Sequence, residues 1–136
     1  MQINQLSEQI IGAAIAIHRE LGPGLLESAY EACMVYELTM RGLGYERQKL
    51  LSVMYGDRQI DCGYRVDLLV ATQIVVELKA VERLDPIHTA QMLTYLKLSG
   101  CHLGLLINFN VPVLRNGIRR LVLGLREAPR PATPRR

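Results

Sequence analysis

Apolar residues recur at spacings of three and four over the first 21 residues, and charged or amide side chains fill the positions between them. The apolar positions of this stretch are Ile3, Leu6, Ile10, Ala13, Ala14, Ile17 and Leu21. This period predicts an amphipathic helix over 3–21. The run Gly22-Pro23-Gly24 predicts its end, and a second helix is expected from about Leu25 to Arg41, before Gly42 and Gly44.

From Tyr45 the apolar period changes to two, which predicts strands. Alternation on both sides of the turn Gly56-Asp57 predicts a β-hairpin. The second strand of this hairpin is expected over Ile60–Val70. Its even-numbered residues are expected on a core face, and its odd-numbered residues, which include Asp67, are expected on a charged face.

A tight turn at Ala71-Thr72 leads to a third expected strand, Gln73–Val81, which completes a three-strand meander. The pair Asp85-Pro86 predicts a helix start, since Asp can accept free amide hydrogens and Pro fits the first helical position. This helix is expected to end near Leu98. The apolar strand His102–Asn108 should then lie parallel to the third strand, because a helix connects the two. The predicted fold is α/β, with a central mixed sheet flanked by helices.

The length of 136 residues, with 49% hydrophobic residues, fits one compact domain. We expect this domain to span 1–125, with 111–125 adding a strand or a short helix. Residues 126–136 are rich in Pro and Arg and are expected to form a disordered basic tail. The tail carries a net charge of +3, so residues 1–125 are neutral. This balance disfavours tight non-specific binding to nucleic acid by the domain alone.

Three cysteines, Cys33, Cys62 and Cys101, cannot all pair, and they form no C-x-x-C motif. We therefore expect a reducing, cytoplasmic location. The longest apolar run, Ile10–Ile17, is too short to span a bilayer and has no basic leader before it. The same run is the candidate interface of a homodimer.

Candidate chemistry lies on two neighbouring strands of the expected meander, which carry Asp67 on one and Glu77 and Lys79 on the other. Residues two apart on a strand share a face at roughly 6–7 Å, so Glu77 and Lys79 should project together. Two carboxylates this close need a cation between them, which Lys79 or a divalent ion can supply. Oxygen ligands suit Mg²⁺ or Mn²⁺. An ordinary cross-strand salt bridge, worth about 0.2–1 kcal/mol, is the alternative explanation of this triplet.

Several segments carry a resemblance to a known family. The run Gly24-Leu25-Leu26-Glu27-Ser28-Ala29-Tyr30 matches the signature of the GxxExxY protein family, and 60–67 with 76–79 resembles the rest of it. Residues 88–96 and 103–109 are also similar. That family is placed in the PD-(D/E)XK nuclease-like superfamily. The resemblance implies a restriction-endonuclease-like core made of a helix, three strands, a helix and a strand.

The resemblance also implies a function and a site. It implies a nuclease that uses Mg²⁺ or Mn²⁺ to hydrolyse the phosphodiester bonds of DNA, with RNA as the second substrate. The implied site comprises Glu27, Asp67 and Glu77 as metal ligands, Lys79 as the catalytic lysine, and Gln91 and Tyr95 near the scissile phosphate. Val66 stands where the superfamily motif has Pro.

Non-catalytic alternatives stay open. Glu27 could simply stabilise the start of a helix, and Tyr30, one turn later, is expected to be a core aromatic residue. The second function hypothesis is a catalytically inactive module that keeps the nuclease fold and binds a partner through an exposed acidic face and the basic tail. The absence of Trp and the single Phe favour it, because aromatic platforms for base stacking are scarce.

Overall fold

The computed structural model describes residues 1–124, apart from the side chain of Cys62, and builds three α-helices and five strands from them. The elements are α1 (Ile3–Leu21), α2 (Glu27–Met40), β1 (Tyr45–Tyr55), β2 (Arg58–Val70), β3 (Ile74–Lys79), α3 (Pro86–Ser99), β4 (Leu103–Asn108), a 3₁₀ turn (Leu114–Gly117) and β5 (Ile118–Val122). The predicted span of α1 is confirmed, and α2 begins two residues later than expected. The predicted tail, 126–136, lies outside the described residues. No helix within 1–124 has the length and apolar content needed to cross a membrane.

The five strands form one sheet in the order β1-β2-β3-β4-β5. Neighbouring strands run antiparallel except β3 and β4, which are parallel and are connected through α3. Parallel neighbours need a long crossover connection, and α3 supplies it. The structure thus confirms the predicted mixed α/β fold with a restriction-endonuclease-like core. The 3₁₀ turn and β5 together provide the short helix or strand expected after residue 111.

Helices α1 and α2 cover one face of the sheet and bury the larger hydrophobic core. Its members include Leu6, Ile10, Ala13, Ala14, Ile17, Tyr30, Met34, Leu38, Val76 and Leu105. The stripe within Ile10–Ile17 that was expected to form a homodimer interface belongs to this core, where Ile10 is fully buried. The reason given for that interface is therefore wrong, because the apolar stripe packs against the sheet of its own chain and is not available to a second copy.

Helix α3 covers the opposite face and buries a second, smaller core. Its members are Leu51, Val66, Leu69, Val75, Met92, Leu96, Cys101 and Leu106. With helices on both sides, all six residues of β4 are buried, as is typical of the central strands of α/β sheets. Val75, on the other side of β3 from the larger core, packs in this smaller core, and both Val75 and Glu77 are buried.

The β1–β2 hairpin extends past the rest of the sheet. Strand β2 pairs with β3 over Leu68–Val70, whereas its pairing with β1 runs from Val70 back to Arg58. The register shifts between Leu51 and Val53. Beyond this shift lies the hairpin tip, Val53–Ile60, in which the described strand pairs join β1 and β2 alone. Tyr55 in the tip is 76% exposed.

Gly117 allows the 3₁₀ turn to approach the end of β4 closely. A Cβ atom at this position would clash with the backbone oxygen of Asn108 and would lie 2.9 Å from Cγ2 of Val111. The Asn108 side chain in turn holds Val81, because its Oδ1 accepts from the Val81 amide (3.1 Å) and its Nδ2 donates to the Val81 carbonyl (2.9 Å). The glycine therefore sets the position of the chain that follows β3.

Replacing Gly117 by Ala should lower the free energy of unfolding by about 1–3 kcal/mol, because the added methyl group overpacks against backbone. For a domain of this size, the midpoint of thermal unfolding should fall by at least about 3 °C. Circular dichroism during heating measures this midpoint. Gly44→Ala is the matched control, since nothing lies within 4 Å of the Cβ position there. Equal midpoints for the two variants would contradict the close approach.

Candidate active site

The pairing between β2 and β3 stops where the candidate site begins. The last described pair is Leu68 with Val76, so Asp67 would next lie opposite Glu77. Side chains replace backbone in this position. The Leu78 amide donates to Oδ2 of Asp67 (2.8 Å), and the Asp67 amide donates to Oε2 of Glu77 (3.3 Å). These reciprocal hydrogen bonds bring both carboxylates into the gap between the strands.

The two faces of β2 exchange at Asp67. Val66 packs in the core beneath α3, whereas Leu68 and Val70 pack in the core beneath α1 and α2. The prediction that the even-numbered residues of this strand share one face is therefore wrong across Asp67. A flat strand would keep the alternation, so the exchange marks a local turn of the backbone at the point where the ladder opens.

Strand β1 is distorted at the same level, at Gln48. This residue has a φ of 51°, a left-handed conformation that residues other than Gly rarely adopt. Its side-chain amide donates to Oε1 of Glu31 (2.6 Å) and reaches Oδ1 of Asp67 (3.4 Å). Strained backbone of this kind persists where its surroundings hold it. Gln48 therefore links helix α2 to the carboxylate of Asp67.

Glu31 is a residue of the site that sequence reasoning missed. It is 8% exposed and accepts hydrogen bonds from Gln48 and from Nε of Arg47 (2.7 Å). The ion pair with Arg47 compensates for the burial of the carboxylate. Glu31 lies four residues after Glu27, on the same face of α2. This second acid at helical spacing is the signal that could have found it.

Glu77 is the electrostatic centre of the site and is 6% exposed. Burial, and then the hydrogen bond and negative charge of Asp67, raise the pKa of Glu77 from 4.5 to about 9, although Lys79 partly opposes the shift. Without a cation, this raised pKa favours the protonated form of Glu77 at neutral pH. The exposed acidic face expected for a binding module is not what the structure has here, because this acid is buried.

Lys79 follows Glu77 by two residues on β3 and is partly buried. Its carbonyl accepts a hydrogen bond from the Phe109 amide (2.9 Å), and it pairs with Asn108 in β4. Its charge lowers the pKa of Glu77 against the effect of burial. That Glu77 and Lys79 act together stays a prediction.

Glu27 is the first residue of α2 and sits at the end of β3. Its Oε2 accepts a hydrogen bond from the Ala80 amide (3.2 Å). Within residues 1–124, no three Asp, Glu, His or Cys side chains are close enough together to hold a metal ion. The structure thus brings Asp67 and Glu77 together and places Glu27 beside the strand that carries Glu77 and Lys79. Direct metal ligation by Glu27 stays a prediction.

Tyr30 fixes the loop that places Glu27. Its hydroxyl donates to the Gly22 carbonyl (2.6 Å) and accepts from the Leu25 amide (3.2 Å), which closes the chain between α1 and α2. The ring is fully buried and stacks on Phe109, with centroids 4.2 Å apart. The expectation of a core aromatic residue is confirmed. The motif that joins Gly24, Glu27 and Tyr30 is therefore a loop closure that starts α2 against the end of β3.

Helix α3 adds Tyr95 and Gln91. Burial, and then the negative charges of Glu77 and Asp67, raise the pKa of Tyr95, with a smaller contribution from Tyr64. The Tyr95 ring packs against the smaller core, which includes Val66, the neighbour of Asp67. Gln91, one turn earlier, is exposed and lies at the rim of the same region.

The gap in the sheet thus holds two carboxylates, and Lys79 follows Glu77 by two residues on the same strand. This set of groups is suited to a divalent cation and an anionic substrate. A family model described as the PD-(D/E)XK nuclease superfamily matches residues 4–121. The chain belongs to this superfamily. PD-(D/E)XK proteins generally depend on divalent metal ions. Neither a search of curated proteins nor a search of solved structures found a significant match. Assignment to the GxxExxY family stays a prediction.

In metal-free buffer, stability should fall as the pH rises from about 5 to about 9. The folded chain keeps the Glu77 proton in this window, whereas the unfolded chain, with a pKa near 4.5, has lost it. Folding at higher pH therefore requires uptake of a proton, and the slope is at most about 1.4 kcal/mol per pH unit. Thermal or urea unfolding with EDTA across this range measures the effect.

Glu77→Gln should flatten this pH dependence, because glutamine has no proton to take up. Glu8→Gln, at an exposed position of α1, is the matched control and should leave the slope unchanged. A wild-type protein whose stability is constant or rises between pH 5 and 9, with EDTA present, would contradict the raised pKa of Glu77.

Proposed function

We propose that this chain is a divalent-metal-dependent nuclease that hydrolyses phosphodiester bonds of DNA, with RNA as the second candidate substrate. The observation that carries the proposal is the convergence of Asp67 and Glu77 in the gap between β2 and β3, with Lys79 on the same side. Membership of the PD-(D/E)XK nuclease superfamily supports nucleic acid as the partner.

The residues present fit a hard divalent cation. Two carboxylates that are buried side by side cannot both ionise unless positive charge lies between them. The pKa of Glu77 is raised to about 9 because burial and the nearby charge of Asp67 disfavour its ionised form when no metal is bound. Mg²⁺ and Mn²⁺ accept one or two carboxylates and complete their coordination with water and substrate oxygens. When bound by Asp67 and Glu77, the ion would supply Lewis-acid stabilisation of the charge that develops on the phosphodiester.

Lys79 contributes a fixed positive charge at the reacting centre. A lysine ammonium is a compact point charge with three donors, so it can orient the attacking water or neutralise a phosphate oxygen. It also draws the pKa of Glu77 downwards, which favours the ionised carboxylate that a metal requires. Its backbone is held on a central strand by the hydrogen bond from the Phe109 amide to its carbonyl.

The surrounding residues position the substrate and the strands. The Tyr95 hydroxyl donates a hydrogen bond to a phosphate oxygen of the nucleic acid, and Gln91 contacts the nucleic-acid strand at the rim of the site. Glu27 holds the Ala80 amide and so fixes the end of β3 next to Lys79. Positioning of this kind can account for a large part of the rate enhancement in phosphoryl chemistry.

A catalytically inactive module with a nuclease fold is the second candidate. The hydrogen bond from Ala80 to Glu27 favours it, because it occupies one oxygen of the carboxylate that would complete a three-acid site. In this case the protein cleaves no nucleic acid and binds no metal ion through Asp67.

Purified protein with Mg²⁺ or Mn²⁺ should cleave labelled DNA, tested beside RNA in single- and double-stranded forms. Lys79→Met and Glu77→Gln should each reduce the rate by roughly 10²–10³-fold, because each removes charge stabilisation at the reacting centre. Lys97→Met, at an exposed position near the end of α3, is the matched control for lysine loss and should retain activity. Absence of cleavage of every substrate, or equal rates for wild type and Glu77→Gln, would reject the nuclease.

Calorimetric titration of Mg²⁺ at pH 7 should show binding together with release of about one proton, because Glu77 must ionise to ligate the metal. Repeating the titration in two buffers of different ionisation enthalpy measures this release. Asp67→Asn should abolish the binding heat, while Glu8→Gln should leave it intact. A binding heat that Asp67→Asn leaves unchanged would place the metal elsewhere.

A further inference from the structure

A cleft beside the candidate active site lies between β2 and the first half of α3. It encloses about 200 Å³ and is lined by Tyr64, Ile87, Ala90, Gln91, Thr94 and Tyr95. Tyr64 and Ile87 are 42% and 60% exposed. None of the six lining side chains carries a charge at neutral pH, so the cleft suits an uncharged, flat and partly apolar group better than a phosphate.

Two tyrosine rings meet where the β2 side of this cleft joins its α3 side. Tyr64 and Tyr95 pack edge to face, with centroids 6.4 Å apart and planes inclined at 66°. Because Tyr64 is 42% exposed, part of its ring stays accessible to a ligand. Tyr30 and Phe109, by contrast, are fully buried against each other and are closed to any ligand. Of these two aromatic pairs, the one in the cleft therefore offers the surface on which a base could stack.

The cleft adjoins the candidate active site through Tyr95. Its ring lines the cleft and packs against the smaller core, which includes Val66 and Val75, the residues that lie one before Asp67 and two before Glu77. If a phosphate of a nucleic-acid strand lies at these carboxylates, the base next to that phosphate would therefore extend towards Tyr64. Gln91 on the facing wall has an amide that both donates and accepts hydrogen bonds, so it can meet the edge of any base.

We propose that the cleft between Tyr64 and α3 binds an unpaired nucleobase of the strand undergoing cleavage. This inference rests on the proposed nuclease function and narrows its substrate to single-stranded nucleic acid or frayed ends. A base within a duplex is stacked and paired, and withdrawing it into the cleft costs energy that an unpaired base does not require. Stacking on an aromatic side chain tolerates any base, so selectivity for strandedness does not bring sequence specificity.

Binding measured without cleavage tests this proposal. Fluorescence anisotropy with EDTA present gives the Kd of the wild-type protein for a labelled single strand and for a duplex of equal length, at one stated salt concentration. The single strand should bind more tightly. Tyr64→Ala should weaken single-strand binding by roughly tenfold, which is within the range for loss of one stacked base, and should leave duplex binding unchanged. Tyr64→Phe keeps the ring and should retain the wild-type Kd within about threefold.

Two controls isolate the cleft. Tyr36→Ala removes a tyrosine that is 65% exposed on α2, on the opposite face of the sheet, and should leave the Kd unchanged. Ile87→Ser alters the other wall of the cleft without touching β2, so it keeps the test valid if Tyr64→Ala fails to fold. It should weaken single-strand binding as well. A strand of abasic residues should bind wild type and Tyr64→Ala equally.

Equal Kd values of wild type for single strand and duplex would overturn the proposal, as would wild-type affinity in both Tyr64→Ala and Ile87→Ser. Because these measurements exclude metal, they separate the two hypotheses. Metal-dependent cleavage with no effect of Tyr64 on binding would reject the base subsite alone. Absence of cleavage, with Tyr64-dependent binding of single strands, would reject the nuclease and keep the cleft as a binding site for bases.

Discussion

The structure of this domain depends on one exchange of hydrogen bonds at the point where β2 and β3 separate. The carboxylates of Asp67 and Glu77 replace the backbone ladder by accepting hydrogen bonds from backbone amides. Two acids are thereby held together, with Glu77 buried and Asp67 partly buried. The cost of this arrangement is repulsion and desolvation, which raise the pKa of Glu77, and a divalent cation would offset that cost. The strained Gln48 and the buried Glu31 support the same junction from β1 and α2.

Much of the fold follows from local signals in the sequence, and the elements that these signals predict are present in the structure. The helical period over 3–21 and the change of period after Tyr45 each concern neighbours along the chain. Helix α3 begins after Asp85, whose amide donates to Nδ1 of His88, and it ends at Gly100 in the left-handed conformation. Caps of this kind involve residues within one turn, so the sequence determines them directly. The parallel pairing of β3 and β4 followed from the crossover rule.

Features that depend on contacts between distant segments could not be predicted from the spacing of apolar residues along the chain. The exchange of faces at Asp67 coincides with a change in the partners of β2. From Leu68 to Val70 this strand pairs with both β1 and β3, whereas the residues before Leu68 pair with β1 alone. The apolar stripe of α1 looked available to a second copy because the sequence does not state which face the sheet covers. For the site, strand spacing predicted that Glu77 and Lys79 share a face, because that relation is local to one strand. The burial of Glu77 could not be predicted, because it depends on α3 packing over the sheet.

The hairpin tip, Val53–Ile60, has a consequence for how this domain can change. Its strand pairs lie beyond the register shift, and it is remote from the junction that holds the carboxylates. A longer turn at Gly56-Asp57, or a turn of different sequence, would alter the outline and the surface chemistry of the molecule while the acids stay in place. Evolution or a protein engineer can thus change what the hairpin tip contacts without changing the arrangement of the two carboxylates.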